Sequence, residues 1–228
     1  MKREELRSLL LEAPYDALVL TSEISRRYAT GFHSTAGAVY LSAKQAVFYT
    51  DFRYVEAARA AITDFEVREI GGGKSYTAAI NELIEQDGVK KVALEDRMLT
   101  YAEYMSWASA LHATAMRLED GVERLRVCKE DDEVHKIVAA QRIAEQALEE
   151  VLNDIRVGVT EKEIAARLTY LMLHYGAENM SFDPIVVSGA NSSKPHGVPT
   201  EKEIQAGDFV TMDFGCIVDG YCSDMART

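Results

Sequence analysis

The sequence predicts an α/β N-terminal domain with a mixed, largely parallel sheet, followed by a second region built on a different plan. Three observations carry this. Short apolar runs alternate with helical patterns through about residue 125, the rhythm of a layered α/β domain. The longest 3.6-residue periodicity begins only after residue 130. Near the end, Asp219-Gly220 separates two strand-like runs, a strong hairpin signal. The domains are accordingly placed at 1–125 and 126–228.

The elements follow in order. Leu6, Leu9 and Leu10 sit at helical spacing, and 17–20 reads as a buried strand. Ser22 caps a short helix that Gly31 ends. Strands are expected at 36–41 and 46–49, and Asp51 is expected to cap an Ala-rich helix running to about Ala61. A strand at 65–70, a helix at 76–84 and a strand at 91–94 continue the alternation. The helix containing Tyr101, Tyr104, Met105, Trp107, Ala108 and Leu111 is read as packing its aromatic residues into the core, before a last strand near 116–118. Charged residues around 123–132 mark a junction. Val134, Ile137, Val138, Ala144, Ala147, Leu148, Val151, Leu152 and Ile155 then form the apolar stripe of a long helix. Acidic residues at its start suit the helix dipole. Thr160 and Glu163 are a capping-box pair opening a second helix, with Ile164, Leu168, Leu171, Met172 and Tyr175 inward and Gly176 as its stop. A short strand within 181–188 leads into a polar loop, 189–199.

Composition limits the function classes. A 228-residue chain with 47% hydrophobic residues has enough apolar material for one large domain or two ordinary ones. A net charge of -12 disfavours both nucleic acid and anionic membranes as partners. No apolar run approaches the roughly 18 residues of a membrane span, and MKREELRSLL does not read as a signal peptide. Three cysteines make no disulfide framework, and the hairpin register puts Cys216 and Cys222 on opposite faces. A cytoplasmic location is the expectation.

The hairpin concentrates the chemistry. With Asp219-Gly220 as turn, Val218 faces Tyr221 and Gly215 faces Asp224. Asp213 shares a face with Gly215 by the strand period of two, so Asp213 and Asp224 point the same way as a diagonal pair. Gly215 between them is read as leaving room for something bound. Adjacent carboxylates repel unless a proton or cation sits between them, so the pair suggests a metal site. The alternative is two solvated edge charges. His196, between Pro195 and Gly197 in the stiff loop before the hairpin, is a catalytic or substrate-binding candidate, the alternative being an exposed turn histidine. His33 and His112 have no partner cluster in the sequence, and His135 and His174 ride on the two long helices, facing solvent or packing. Gly71-Gly-Gly-Lys-Ser75 resembles a phosphate loop, but Arg68 occupies the position of the first required glycine. It reads as a strand-to-helix turn.

The order Gly189-Ala-Asn191, Pro195-His-Gly197, Asp213-Phe-Gly215 and Tyr221-Cys-Ser-Asp224-Met-Ala-Arg-Thr228 resembles the metallopeptidases of the pita-bread fold, nearest to aminopeptidase P and prolidase. Independently, Tyr28-Ala-Thr-Gly-Phe32 and Tyr49-Thr-Asp-Phe-Arg-Tyr54 resemble their creatinase-type N-terminal domain. Ala226 departs from the pattern, since relatives often carry Thr there. The resemblance implies that Asp213 ligates one metal, that Asp224 bridges two and that His196 contacts substrate. It implies two divalent ions, manganese first with zinc or cobalt as alternatives, that hold and activate the water attacking an Xaa-Pro bond. A proline-containing peptide as substrate and a homodimer are further implications. In the family, one histidine and two glutamates further toward the C-terminus complete the metal site, together with another catalytic histidine. Residues 126–228 are therefore expected to form the incomplete first part of an α+β pita-bread catalytic domain, and 1–228 alone to lack peptidase activity. Two rivals share the architecture: a non-catalytic pita-bread module that binds a peptide or protein, and a creatinase-like amidinohydrolase, which works without metal. Neither accounts for the two aspartates. A methionine aminopeptidase is disfavoured because those enzymes generally lack the first domain.

Overall fold

The computed structural model describes residues 2–12 and 14–228. Chain contacts divide it into two compact units, the first running to Cys128 and the second from Lys129 to Thr228. The first contains α1 (Lys2–Glu12), β1 (Ala17–Leu20), α2 (Glu23–Thr30), β2 (Ala38–Ser42), β3 (Ala46–Thr50), α3 (Val55–Ala61) and β4 (Glu66–Glu69). It continues with α4 (Tyr76–Asp87), β5 (Lys91–Leu94), α5 (Tyr101–Ala110), β6 (Thr114–Arg117) and the short α6 (Gly121–Leu125). One sheet runs β4-β3-β2-β1-β5-β6. β1 pairs antiparallel with β2, as β2 does with β3, and the other three pairings are parallel. The sheet is mixed and parallel at both flanks.

Strand β1 shows why its apolar run is continuous. Leu18 and Leu20 join a core with Leu6, Leu9 and Phe48. Ala17 and Val19 join a separate core with Ile80, Leu83 and Ile84. Both faces are covered, so no position is free to be polar. Caps set the helix starts: the Ser22 Oγ accepts from the Ser25 N–H at 3.2 Å, and Thr100 with Glu103 forms a full capping box. Gly31 closes α2 in the left-handed conformation at φ 69°.

Three expectations for this unit change or gain detail. Asp51 does not cap α3; Tyr54 holds that position, and no side chain caps it. The Asp51 carboxylate is drawn instead to Arg53, whose Nη2 lies 2.7 Å from Oδ2, and a turn separates it from the helix. Tyr101 is not core but 81% exposed. The packed face of α5 begins one turn later, with Tyr104, Trp107 and Ala108 against the core. The glycine-rich segment is a turn before α4, with the Lys74 ammonium 2.7 Å from the Glu82 carboxylate.

The second unit holds α7 (Asp131–Val151), α8 (Glu161–His174), β7 (Asn179–Met180), β8 (Ile185–Ser188), β9 (Val210–Phe214), β10 (Cys216–Val218), β11 (Tyr221–Cys222) and β12 (Met225–Arg227). Two antiparallel three-stranded sheets form, β12-β9-β8 and β11-β10-β7. The inward stripe of α7 keeps Ala144, Ala147 and Val151 of the expected one and corrects the rest. Ala140, Ala144, Ala147 and Val151 are fully buried, whereas Val134, Val138 and Leu152 are 44%, 46% and 52% exposed. Small residues let the helix backbone come close: the Cys216 thiol donates to the Ala140 carbonyl at 3.2 Å. On α8, Ile164, Leu168, Leu171 and Met172 are buried as expected. All three cysteines are free, with Cys216 buried and Cys222 exposed. Among the described residues, no helix is long and apolar enough to cross a membrane.

Candidate metal centre

Asp219 and Gly220 both have positive φ, 46° and 77°, as a two-residue type I′ turn requires. The register counts outward from there. Val218 pairs with Tyr221, Ile217 with Cys222, Phe214 with Met225 and Asp213 with Ala226. Strand β9 is flanked on its other side by β8, where Ile185 stands opposite Asp213. Met212, Phe214, Met225 and Val186 point into the core. By strand alternation Asp213, Asp224 and Ala226 therefore share the opposite face. Asp213 is half-buried there and Asp224 exposed.

Ladder pairing is interrupted between the two halves of the hairpin, and Gly215 explains the break. A Cβ on Gly215 would lie 2.0 Å from the Ser223 carbonyl oxygen and 2.4 Å from the Ser181 Oγ. Ser181 Oγ donates to that carbonyl at 2.7 Å, and the Ser181 N–H donates to the Gly215 carbonyl at 3.0 Å. The space expected to hold a ligand is thus filled by the protein itself. Gly215 permits a close backbone approach that sets the chain path immediately before Asp224.

The three predicted residues meet electrostatically. The Asp213 carboxyl is held above its ordinary range, first by burial and then by the charge and a shared hydrogen bond of Asp224. His196 acts on it in the opposite sense. A hydrogen bond shared by two carboxylates needs a proton between them, and a divalent cation satisfies the same pair without one. Their hard oxygen donors suit a hard divalent ion. Among the described residues, no group of three or more His, Cys, Asp or Glu side chains is gathered as a metal cage.

His196 stands in a turn closed by the Gly197 N–H on the Lys194 carbonyl at 3.1 Å. Gly197 is pressed against β8, where an added Cβ would lie 2.7 Å from Val187 Cγ1. Val187 pairs with Thr211, on the same face as Asp213, so the loop folds back over the carboxylate face. The other histidines have other surroundings. His33 pairs with Glu23 at 3.1 Å, His112 with Glu85 at 2.8 Å, His174 stacks on Tyr170 and His135 is exposed.

The sequence reading missed Glu161. Its side chain is fully buried at the start of α8, and both carboxylate oxygens accept hydrogen bonds from the loop. In sequence it looks like any acid in a first helical turn, and only its position after the Thr160 cap sets it apart.

Both units of the chain match known proteins. Residues 2–128 match the creatinase/prolidase N-terminal domain, and residues 135–228 match metallopeptidase family M24. An uncharacterized peptidase of Bacillus subtilis, YqhT, is 39% identical over 229 residues, covering 100% of this chain and 64% of the relative. Among solved structures, an Xaa-Pro dipeptidase from Bacillus anthracis is 42% identical with a TM-score of 0.93, covering 99% of this chain and 63% of that one. An X-Pro aminopeptidase from Thermotoga maritima is 33% identical with a TM-score of 0.90, covering 96% and 64%. The chain thus spans less than two thirds of the length of these relatives. Its two domains, in this order, place it in the pita-bread metallopeptidase family M24, among the members that carry a creatinase/prolidase N-terminal domain.

Proposed function

We propose that this chain supplies the N-terminal domain and the first metal-binding hairpin of a metal-dependent exopeptidase that cleaves Xaa-Pro bonds, at the N-terminus of peptides or in dipeptides. The observation that carries the reading is the like-charged pair Asp213 and Asp224 on one face of the hairpin, with His196 in electrostatic reach. Similarity to the B. anthracis Xaa-Pro dipeptidase supports the substrate class.

In this reading Asp213 and Asp224 are the residues of this chain that would hold the divalent ions. Bound divalent ions, manganese by preference, supply Lewis acidity that acidifies water and polarises a carbonyl. His196 donates a hydrogen bond toward the substrate carbonyl as negative charge develops there. The half-burial of Asp213 keeps bulk water from competing for its oxygens. Three free cysteines fit a reducing cytoplasm. A homodimer is the assembly implied by the resemblance.

Two measurements test the reading. Calorimetric titration of the chain with Mn2+ is expected to show a site weakened about tenfold or more by Asp213→Asn or Asp224→Asn. Binding indifferent to both substitutions would remove the metal reading. For the substrate, these 228 residues replace the aligned segment of the B. anthracis enzyme. The chimera is expected to cleave an Xaa-Pro dipeptide and to lose that activity with Asp213→Asn. A folded, manganese-loaded chimera without activity would refute the assignment.

A further inference from the structure

His196 sits in an exposed loop, and exposed loops are usually the least fixed part of a domain. This loop is tied down by one buried side chain at its beginning, middle and end. Glu161 Oε1 accepts from the Ser188 N–H at 2.7 Å and from Ser188 Oγ at 3.1 Å. Its Oε2 accepts from the Thr200 N–H at 3.0 Å and from Thr200 Oγ1 at 2.7 Å. The Asn191 amide spans both oxygens, at 3.2 and 3.3 Å. Ser188 closes β8 and Thr200 ends the loop, so a single carboxylate closes the whole excursion that carries His196.

The surroundings make this anchor rigid. Glu161 is 0% exposed, and its own helix gives it a favourable N-terminal position. Two otherwise unpaired N–H groups of that helix end, on Glu161 and Lys162, donate to the carbonyls of Lys202 and Thr200 at 3.1 and 3.2 Å. Lys202 Nζ donates to Ser188 Oγ at 2.9 Å and to Asp208 Oδ2 at 2.6 Å, placing a cation beside the network. Burial works against the charged form of Glu161, yet the donors from Thr200, Ser188 and Asn191 prevail and hold it below the usual carboxylate range.

We propose that Glu161 is a positioning residue for His196: by clamping Ser188, Asn191 and Thr200 it fixes where the imidazole stands relative to Asp213 and Asp224. This rests on the metallopeptidase reading above for its functional meaning, but the clamp itself does not. Nearly isosteric Glu161→Gln is the sharp perturbation. Whichever oxygen becomes the amide nitrogen, a backbone N–H at Ser188 or Thr200 meets a donor and loses its acceptor.

The test uses the chain as it stands, with amide hydrogen exchange and the His196 imidazole NMR signal recorded with and without Mn2+. In Glu161→Gln, amides across 188–200 are expected to exchange about tenfold faster or more, while β9 and β12 keep their protection within about twofold. Mn2+ is expected to broaden the His196 signal strongly in wild type and measurably less in the variant, because a loosened loop samples longer distances. Asn191→Ala leaves the Ser188 and Thr200 ties in place, removing the middle tie together with the exposed Lys194 contact to Asn191 Oδ1 at 2.8 Å, and is expected to give the same pattern at smaller amplitude, which keeps the test open if Glu161→Gln folds poorly. Unchanged loop exchange with equal broadening overturns the proposal, as does a uniform rise in exchange across the whole unit for both variants. If Mn2+ broadens nothing near Asp213 in wild type, the metal reading fails, and loop exchange alone still decides the clamp.

Discussion

Replacing Gly215 by Ala tests the site at the point where it is tightest. The added methyl would arrive 2.0 Å from the Ser223 carbonyl oxygen and 2.4 Å from Ser181 Oγ. To reach ordinary contact at 3.4 Å, the carbonyl has to retreat by about 1.4 Å. Ser181 can swing its hydroxyl away, but only by giving up its 2.7 Å hydrogen bond to that carbonyl. The Ser223 carbonyl cannot move alone, because the Ser223 N–H donates to Cys216 at 2.9 Å and Cys216 is locked in the core. Overpacking of this kind costs about 1–3 kcal/mol, and the lost hydrogen bond adds about 1 kcal/mol. Urea unfolding followed by far-ultraviolet circular dichroism is therefore expected to show Gly215→Ala destabilised by about 2–4 kcal/mol. Because Asp224 follows Ser223 directly, Mn2+ affinity should fall with it, by about tenfold or more. A variant within about 0.5 kcal/mol of wild type, with unchanged affinity, would show that Gly215 does not set the path of the hairpin.

Two further outcomes follow from the same contacts. The folded-state pKa of Glu161 is depressed, so its stabilisation is present at neutral pH and is lost as pH falls from its unfolded value, about 4.3, through the folded one. Glu161→Gln should flatten that acid limb of the stability curve, and an identical limb in the variant would contradict the assignment. In the first unit the Asp87 carboxylate accepts from Tyr40 at 3.0 Å, Ser42 at 2.6 Å and Gln45 at 2.9 Å, joining the end of α4 to the β2–β3 hairpin. Asp87→Ala is expected to destabilise this unit by about 1–3 kcal/mol. The fluorescence of Trp107, the chain's single tryptophan, would report it, and an unshifted midpoint would argue against the anchor.

How much was legible depended on the range of the interaction. The Asp219-Gly220 turn is local: a two-residue loop with positive φ at both positions fixes the register, and period two then places both aspartates on one face. Caps at Ser22 and Thr160 are legible for the same reason, since donor and acceptor lie within one turn. Asp51 failed because Arg53, two residues on, competes for its carboxylate. On α7 the apolar period picks out Ala144, Ala147 and Val151, which are buried, but it passes over Ala140 and includes Val134, Val138 and Leu152, which are exposed, because periodicity does not say how closely the helix approaches the sheet.

Local backbone rules and apolar periodicity are enough for the change of plan along the chain and for the hairpin register, which puts Asp213 and Asp224 on one face. Tertiary structure decided two things that periodicity cannot encode. It filled the notch at Gly215 with Ser181 and the Ser223 carbonyl. It also gathered Ser188, Asn191 and Thr200 onto Glu161. These partners lie far apart in the chain, and each contact depends on a close approach or a buried charge that exists only once the strands and helices have packed.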